Sequence, residues 1–238
     1  MSYQRGIALA VLLALSVLLC SAGEKPPAEF LSSGTFNGGT SKGDMLLEGV
    51  RFGRQGSATR MVLDLAKSDG SAADKHPVYS VEYREFPYRL VVRLEGVSFS
   101  DKTKVQSSPA LPFSVVTPPD GSIKELQVFL SGPSEFKVIE IDDPAKLSID
   151  VRPLKTDIPN IYSVQLTGPA NAAEAYALIE QGSFPDGFLP DAVVMGNVVV
   201  VEQTFTSASE AARMDRMLQE MGYTCIINER RGNELPQV

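Results

Sequence analysis

Ile161-Tyr-Ser-Val-Gln-Leu166 followed by Asn171-Ala-Ala-Glu174 reads as a strand that gives way to a helix running to about Gln181. A weaker copy begins at Val198-Val-Val-Val-Glu202, again strand-like, with Ser207-Ala-Ser-Glu210 opening a second helix. Superposing the copies sets Val200 under Val164 and Glu210-Ala211 under Glu174-Ala175. Each helix start pairs an Asn or Ser, whose side-chain oxygen can accept an orphan backbone N–H, with a Glu three residues on that can return the bond. In the second helix Ala211, Met214, Leu218 and Met221 recur at helical spacing, and Gly222 supplies a left-handed stop. Ala192 to Met195 is a further strand before a Gly196-Asn197 turn, and Thr224 to Asn228 closes the series.

The order read is βαββαβ, which predicts a four-stranded antiparallel sheet with both helices on one face. Val164-Gln165-Leu166, Ala173-Glu174-Ala175, Glu210-Ala211-Ala212 and Leu218-Gln-Glu-Met-Gly222 resemble the SPOR domain, a family of bacterial envelope modules that bind peptidoglycan glycan strands. The resemblance implies a peptidoglycan-binding face on the helix-free side, on which Gln165 alone of the family's usual glycan-facing set is in place; strand alternation is expected to set Ser163, and Asn197 at the rim, beside it. Where the family carries Gly-Ser-Phe after the strand-one Gln, this chain has Thr167-Gly168-Pro169. Alternation is expected to put Val198 and Val200 beneath the helices and Val199 and Val201 on the other face.

Upstream, from Met45 to Val151, short alternating runs separated by Gly, Pro, Asp and Ser clusters predict an all-β sandwich. The region repeats itself. Setting Tyr79 over Phe136 brings Val81 over Val138, Pro87 over Pro144, Leu90 over Leu147 and Val92 over Ile149, so each half holds the same hairpin. Val62 pairs with Val128 once the Lys67 to Pro77 loop is treated as an insertion. A duplicated sandwich with Arg60-Met-Val-Leu-Asp-Leu65 and Leu147-Ser-Ile-Asp-Val-Arg152 resembles the AMIN domain, which implies localisation in the bacterial envelope. The fold class expected is therefore two domains, an AMIN-like all-β sandwich followed by an α+β SPOR-like module.

The chain opens with Met1 to Arg5, which holds one basic residue, then an apolar run from Gly6 to Leu19, then Cys20-Ser21-Ala22-Gly23. This is the pattern of a secretory leader. Two endings compete: cleavage at the small residues after Ala22, which is favoured, or lipid attachment at Cys20, against which Leu19 stands. The domain plan is a signal peptide at 1–22, a flexible tether at 23–44, the sandwich at 45–153, a linker at 154–160, the SPOR-like domain at 161–230 and a tail at 231–238. A periplasmic or cell-envelope location follows.

A formal charge of −7 leaves no basic footprint for nucleic acid. His76, the one histidine, lies in the inserted loop and is expected to be solvated. With one His, and Cys225 the one thiol after the leader, neither metal nor cofactor is expected, and Asp142-Asp143 reads as a polar turn rather than an acid–base pair. The chain is expected to be non-enzymatic. Two readings remain: a protein that binds peptidoglycan glycan strands, or an adaptor for envelope proteins such as a secretin, an amidase or divisome components.

Overall fold

The computed structural model describes residues 29–118, 121 and 123–237; the leader and Cys20 lie outside the described residues. Period-two burial makes the strands: in Ala58–Lys67, Met61, Leu63 and Leu65 are buried while Arg60, Val62 and Asp64 point the other way. In chain order the strands are β1 (Thr35–Gly38), β2 (Met45–Gln55), β3 (Ala58–Lys67), β4 (Tyr79–Arg84), β5 (Arg89–Glu95), β6 (Val97–Val105) and β7 (Phe113–Val116). Then come β8 (Ile123–Phe129), β9 (Ser134–Ile141), β10 (Lys146–Pro153), β11 (Asn160–Leu166), α1 (Ala172–Gln181), β12 (Asp191–Met195), β13 (Val198–Phe205), α2 (Ala208–Glu220) and β14 (Cys225–Arg231).

They form three sheets: β6-β2-β3-β10-β9, β1-β4-β5-β8-β7 and β12-β13-β11-β14. Every pairing is antiparallel except β2 with β6. The first two sheets enclose a core that includes Leu47, Leu63, Leu90, Leu126, Phe136 and Ile149. Apart from the edge strands β1 and β6, each of these sheets holds two strands from each half of the repeat, because hairpin β4–β5 pairs through β5 with β8 while hairpin β9–β10 pairs through β10 with β3. An approximate twofold thus exchanges β2-β3-β10-β9 with β7-β8-β5-β4. Phe86 and Asp143, at equivalent turns, both take positive φ, 57° and 53°.

The third sheet carries α1 and α2 on one face, where Ala175, Ala211, Met214 and Leu218 bury against Val164, Leu166 and Val201. Asn171 caps α1 by accepting from the Glu174 N–H at 3.0 Å, and the Glu174 carboxylate accepts from the Ala170 N–H at 2.8 Å. Its other face is closed: Ser163, Gln165, Val193, Val200, Glu202 and Arg230 are all buried, and Arg230 reaches the Phe86 carbonyl in the β4–β5 turn.

This corrects the expected fold class. The chain is not a sandwich followed by a free α+β SPOR-like module; it is a mostly-β protein of three antiparallel-rich sheets with two helices. The physical reason is that the third sheet is docked on the second through its β12 edge, over the outer residues Arg89, Val91, Glu125 and Gln127, which are fully buried. Three smaller expectations also change. Thr35–Gly38 within the supposed tether is an edge strand on β4, held where Phe36 stacks on Tyr79; residues 23–28 of that tether lie outside the described residues. Val199 and Val201, not Val198 and Val200, turn toward the helices, because Leu166 sits opposite Val201. His76 is buried rather than solvated: the inserted loop folds back on the β9–β10 turn, and the ring Nε2 lies 3.1 Å from the Ile141 carbonyl and 3.2 Å from that of Lys146.

Candidate functional site

The residues singled out on the third sheet do not assemble into an open site. Gln165 and Ser163 are brought together, but around a buried carboxylate: the Ser163 hydroxyl donates to Glu202, and the Gln165 amide donates to the same oxygen at 3.3 Å. Asn228 donates to the Gln165 carbonyl at 3.0 Å, and the Arg230 guanidinium donates to Glu202 at 2.5 and 3.2 Å. These polar groups therefore complete one another. Asn197 is separate from them, exposed in the β12–β13 turn.

The seal extends onto the second sheet. Gln127, 1% exposed, uses its side-chain amide as a strand would use its backbone, donating to the Ala192 carbonyl at 2.8 Å and accepting from the Val194 N–H at 3.0 Å. The β12 edge is thereby satisfied by a side chain. Arg89 and Arg84 both donate to Asp191, and the Tyr176 hydroxyl donates to Glu125. Burial pushes the Tyr176 hydroxyl above its ordinary range, and the Glu125 carboxylate adds to the shift. For Glu82 burial acts upward, yet hydrogen bonds from Arg84 and Arg93 outweigh it and hold the carboxyl below the usual range. Buried pairs of this kind fix an arrangement, because removing either partner leaves a desolvated charge.

The first sheet is different. No further sheet or helix covers its outer face among the described residues, and a groove of about 890 Å³ runs along it. Its floor is the middle of β2 and β3, where a bulge between Leu47 and Gly49 bends β2. A Cβ at Gly49 would come 3.2 Å from the Lys104 carbonyl oxygen, so the bulge lets β6 approach closely. One wall is the inserted loop at Ser68–Gly70, the other is Lys104 of β6 with Gln106 just beyond it, and Lys146 also lines the groove. At the centre Arg51 grips Asp64 through two hydrogen bonds, 2.5 and 2.8 Å. The hydrogen bond to Asp64 holds the Arg51 guanidinium above its ordinary value. Both walls are departures from the internal repeat: among the described residues neither the loop nor β6 has a counterpart on the second sheet.

Chemically the groove offers donors and acceptors of both signs. It contains no histidine or cysteine, and its Glu48, Asp64 and Asp69 do not gather into a metal cluster. Cys225 lies elsewhere, half-buried at the rim of the helical layer, where burial pushes its thiol up to about 11. The insertion in the repeat is the sequence signal for the groove; β6 has none, since its residues turn polar after Phe99. Among the described residues no helix is long and apolar enough to cross a membrane. Compared with protein-family models, curated proteins and solved structures, the chain finds no match in any of the three.

Proposed function

We propose that this is a non-enzymatic, exported envelope protein that binds peptidoglycan glycan strands through the groove on the first sheet. The observation that carries the reading is the placement of both repeat-breaking elements, the 68–70 loop and β6, as walls of one polar groove on an uncovered sheet face. Glycan strands are long, hydroxyl-rich and acetamido-bearing, and an open channel lined by Arg51, Asp64, Gln106 and Ser68 offers them donors and acceptors without demanding net charge. The leader-like amino terminus and the AMIN-like internal repeat support that compartment. Gln165, Ser163 and Asn197 are not assigned to the ligand in this proposal.

The test is co-sedimentation of the purified protein with sacculi. Arg51→Ala, Lys104→Ala and Gln106→Ala together are expected to reduce binding by roughly tenfold, in line with about 1–2 kcal/mol of lost charged hydrogen bonding. Retention equal to that of the unaltered protein would remove the groove from the proposal. Absence of binding by the unaltered protein would transfer the function to the adaptor reading.

A further inference from the structure

The approximate twofold sets β2 and β7 in equivalent positions, each antiparallel to the next strand of its own sheet. Outboard of β2 the chain adds β6, parallel, with Val97 opposite Met45 and Phe99 opposite Leu47. Both apolar side chains of that added strand reach the sandwich core. Outboard of β7 the sheet ends among the described residues. The consequence shows in the side chains: Val115 of β7 is 42% exposed and Val105, across the mouth of the sandwich, is 53% exposed. Between them lies a groove of about 540 Å³, lined also by Pro109, Pro112 and Phe113, without a charged residue.

We propose that β7 accepts an extended segment of a partner protein as an added parallel strand, in the position that β6 takes on β2. The geometry defines the segment: uncharged, with apolar side chains at alternate positions to cover Val115 and Val105, as Val97 and Phe99 do for the other edge. Main-chain pairing supplies the register and the alternate side chains supply selectivity. A second copy of this chain is a poorer occupant. The four residues of β7 bury far less than the roughly 800 Å² per partner of a stable interface, whereas a tethered or extended segment does not need a large flat contact. The inference does not depend on the glycan reading, because the groove at β7 and the groove on the outer face of the first sheet are lined by different residues apart from Gln106, just after β6.

The probe is a capped synthetic peptide with the sequence of residues 96–100, Gly-Val-Ser-Phe-Ser, titrated into ¹⁵N-labelled full chain. Amide shifts and slowed hydrogen exchange at Phe113–Val116 are expected, with affinity about tenfold lower for Val115→Lys, which would set a charge in an apolar contact. Ile227→Lys, on the exposed β14 edge of the third sheet, is expected to leave the affinity unchanged. Mapping on the unaltered chain decides the case even if a variant fails to fold. No response at Phe113–Val116 would overturn the proposal, as would a response confined to β2 and β6, which would mean that the peptide displaces β6. Concentration-dependent self-association that shifts the same amides without peptide would assign the edge to a second copy instead.

Discussion

The two sheets of the sandwich share a strand plan and have opposite outer faces. On the second, Arg89, Glu125 and Gln127 are almost fully buried beneath the third sheet and are bonded to it or to one another. On the first, Arg51 and Asp64 are 48% and 20% exposed in an open groove. The difference teaches that in a duplicated sandwich the outer face is free to diverge, because the core asks only for the inward alternate residues. One face has become a structural joint; the other keeps polar groups in reach of solvent.

The harshest way to break the comparison is to remove the joint. Residues 154–238 expressed alone would expose Val193, Val200 and the Glu202–Arg230 pair, which the sandwich helps to bury. Desolvated ion pairs and apolar side chains returned to water both alter stability. The fragment is expected to lose cooperative thermal unfolding, while the whole chain unfolds in one transition by circular dichroism and calorimetry. A stable fragment with its helical signal intact would show the third sheet to be an autonomous domain.

A single substitution sharpens the same point. Glu202→Ala would leave Arg230, 6% exposed at its side chain, without its carboxylate partner and deprive Ser163 and Gln165 of their acceptor. A loss of about 3–5 kcal/mol in denaturant unfolding is expected. If Glu202→Ala costs no more than a surface substitution, the joint is looser than its geometry.

How much of this was legible in the residues follows from which interactions are local. Strands such as Arg60-Met-Val-Leu-Asp-Leu65 declare themselves because burial on one face leaves an alternating record. β6 did not, since after Val97-Ser-Phe99 its residues turn polar and its partner β2 lies far back in the chain. Thr35–Gly38 is too short to show a period, and its pairing with β4 is again long-range. The run Val198 to Val201 holds no alternation at all, so its facing was set only by the register of Leu166 opposite Val201. Ser163 and Gln165 looked like an exposed polar face because polarity records the need for a hydrogen-bond partner and not whether that partner is water, glycan or Glu202. The groove was half visible: the 67–77 insertion marked a break in the repeat, but its position over β2 is a property of the folded chain.

The acid limb of stability separates the two faces in another way. Arg84 and Arg93 hold the Glu82 carboxyl below its ordinary range in the folded chain, so the stabilisation is fully present above the usual glutamate pKa. It is lost as pH falls from there through the depressed folded value. Glu82→Gln is therefore expected to flatten the fall in melting temperature below about pH 4.5, at the cost of a lower plateau near neutrality. An unchanged pH profile would show that Glu82 is not coupled to folding.

The smallest stability effect belongs to the open face, and it is the one that bears most on function. Arg51 is half exposed, and its bond to Asp64 lies where water and salt screen it, so Arg51→Ala is expected to change unfolding free energy by no more than about 1 kcal/mol. Asp64 keeps partial access to solvent and so is not stranded as Arg230 would be in the joint. If the groove binds glycan, this near-silent substitution should weaken sacculus retention severalfold without moving the melting temperature by more than a few degrees. Asp64→Asn offers a finer contrast, since it keeps an acceptor beside Arg51 while removing the charge. A groove that recognises neutral hydroxyl and acetamido groups should tolerate Asp64→Asn better than Arg51→Ala; equal losses would indicate that the ion pair serves to hold β2 and β3 in shape around the bulge at Gly49.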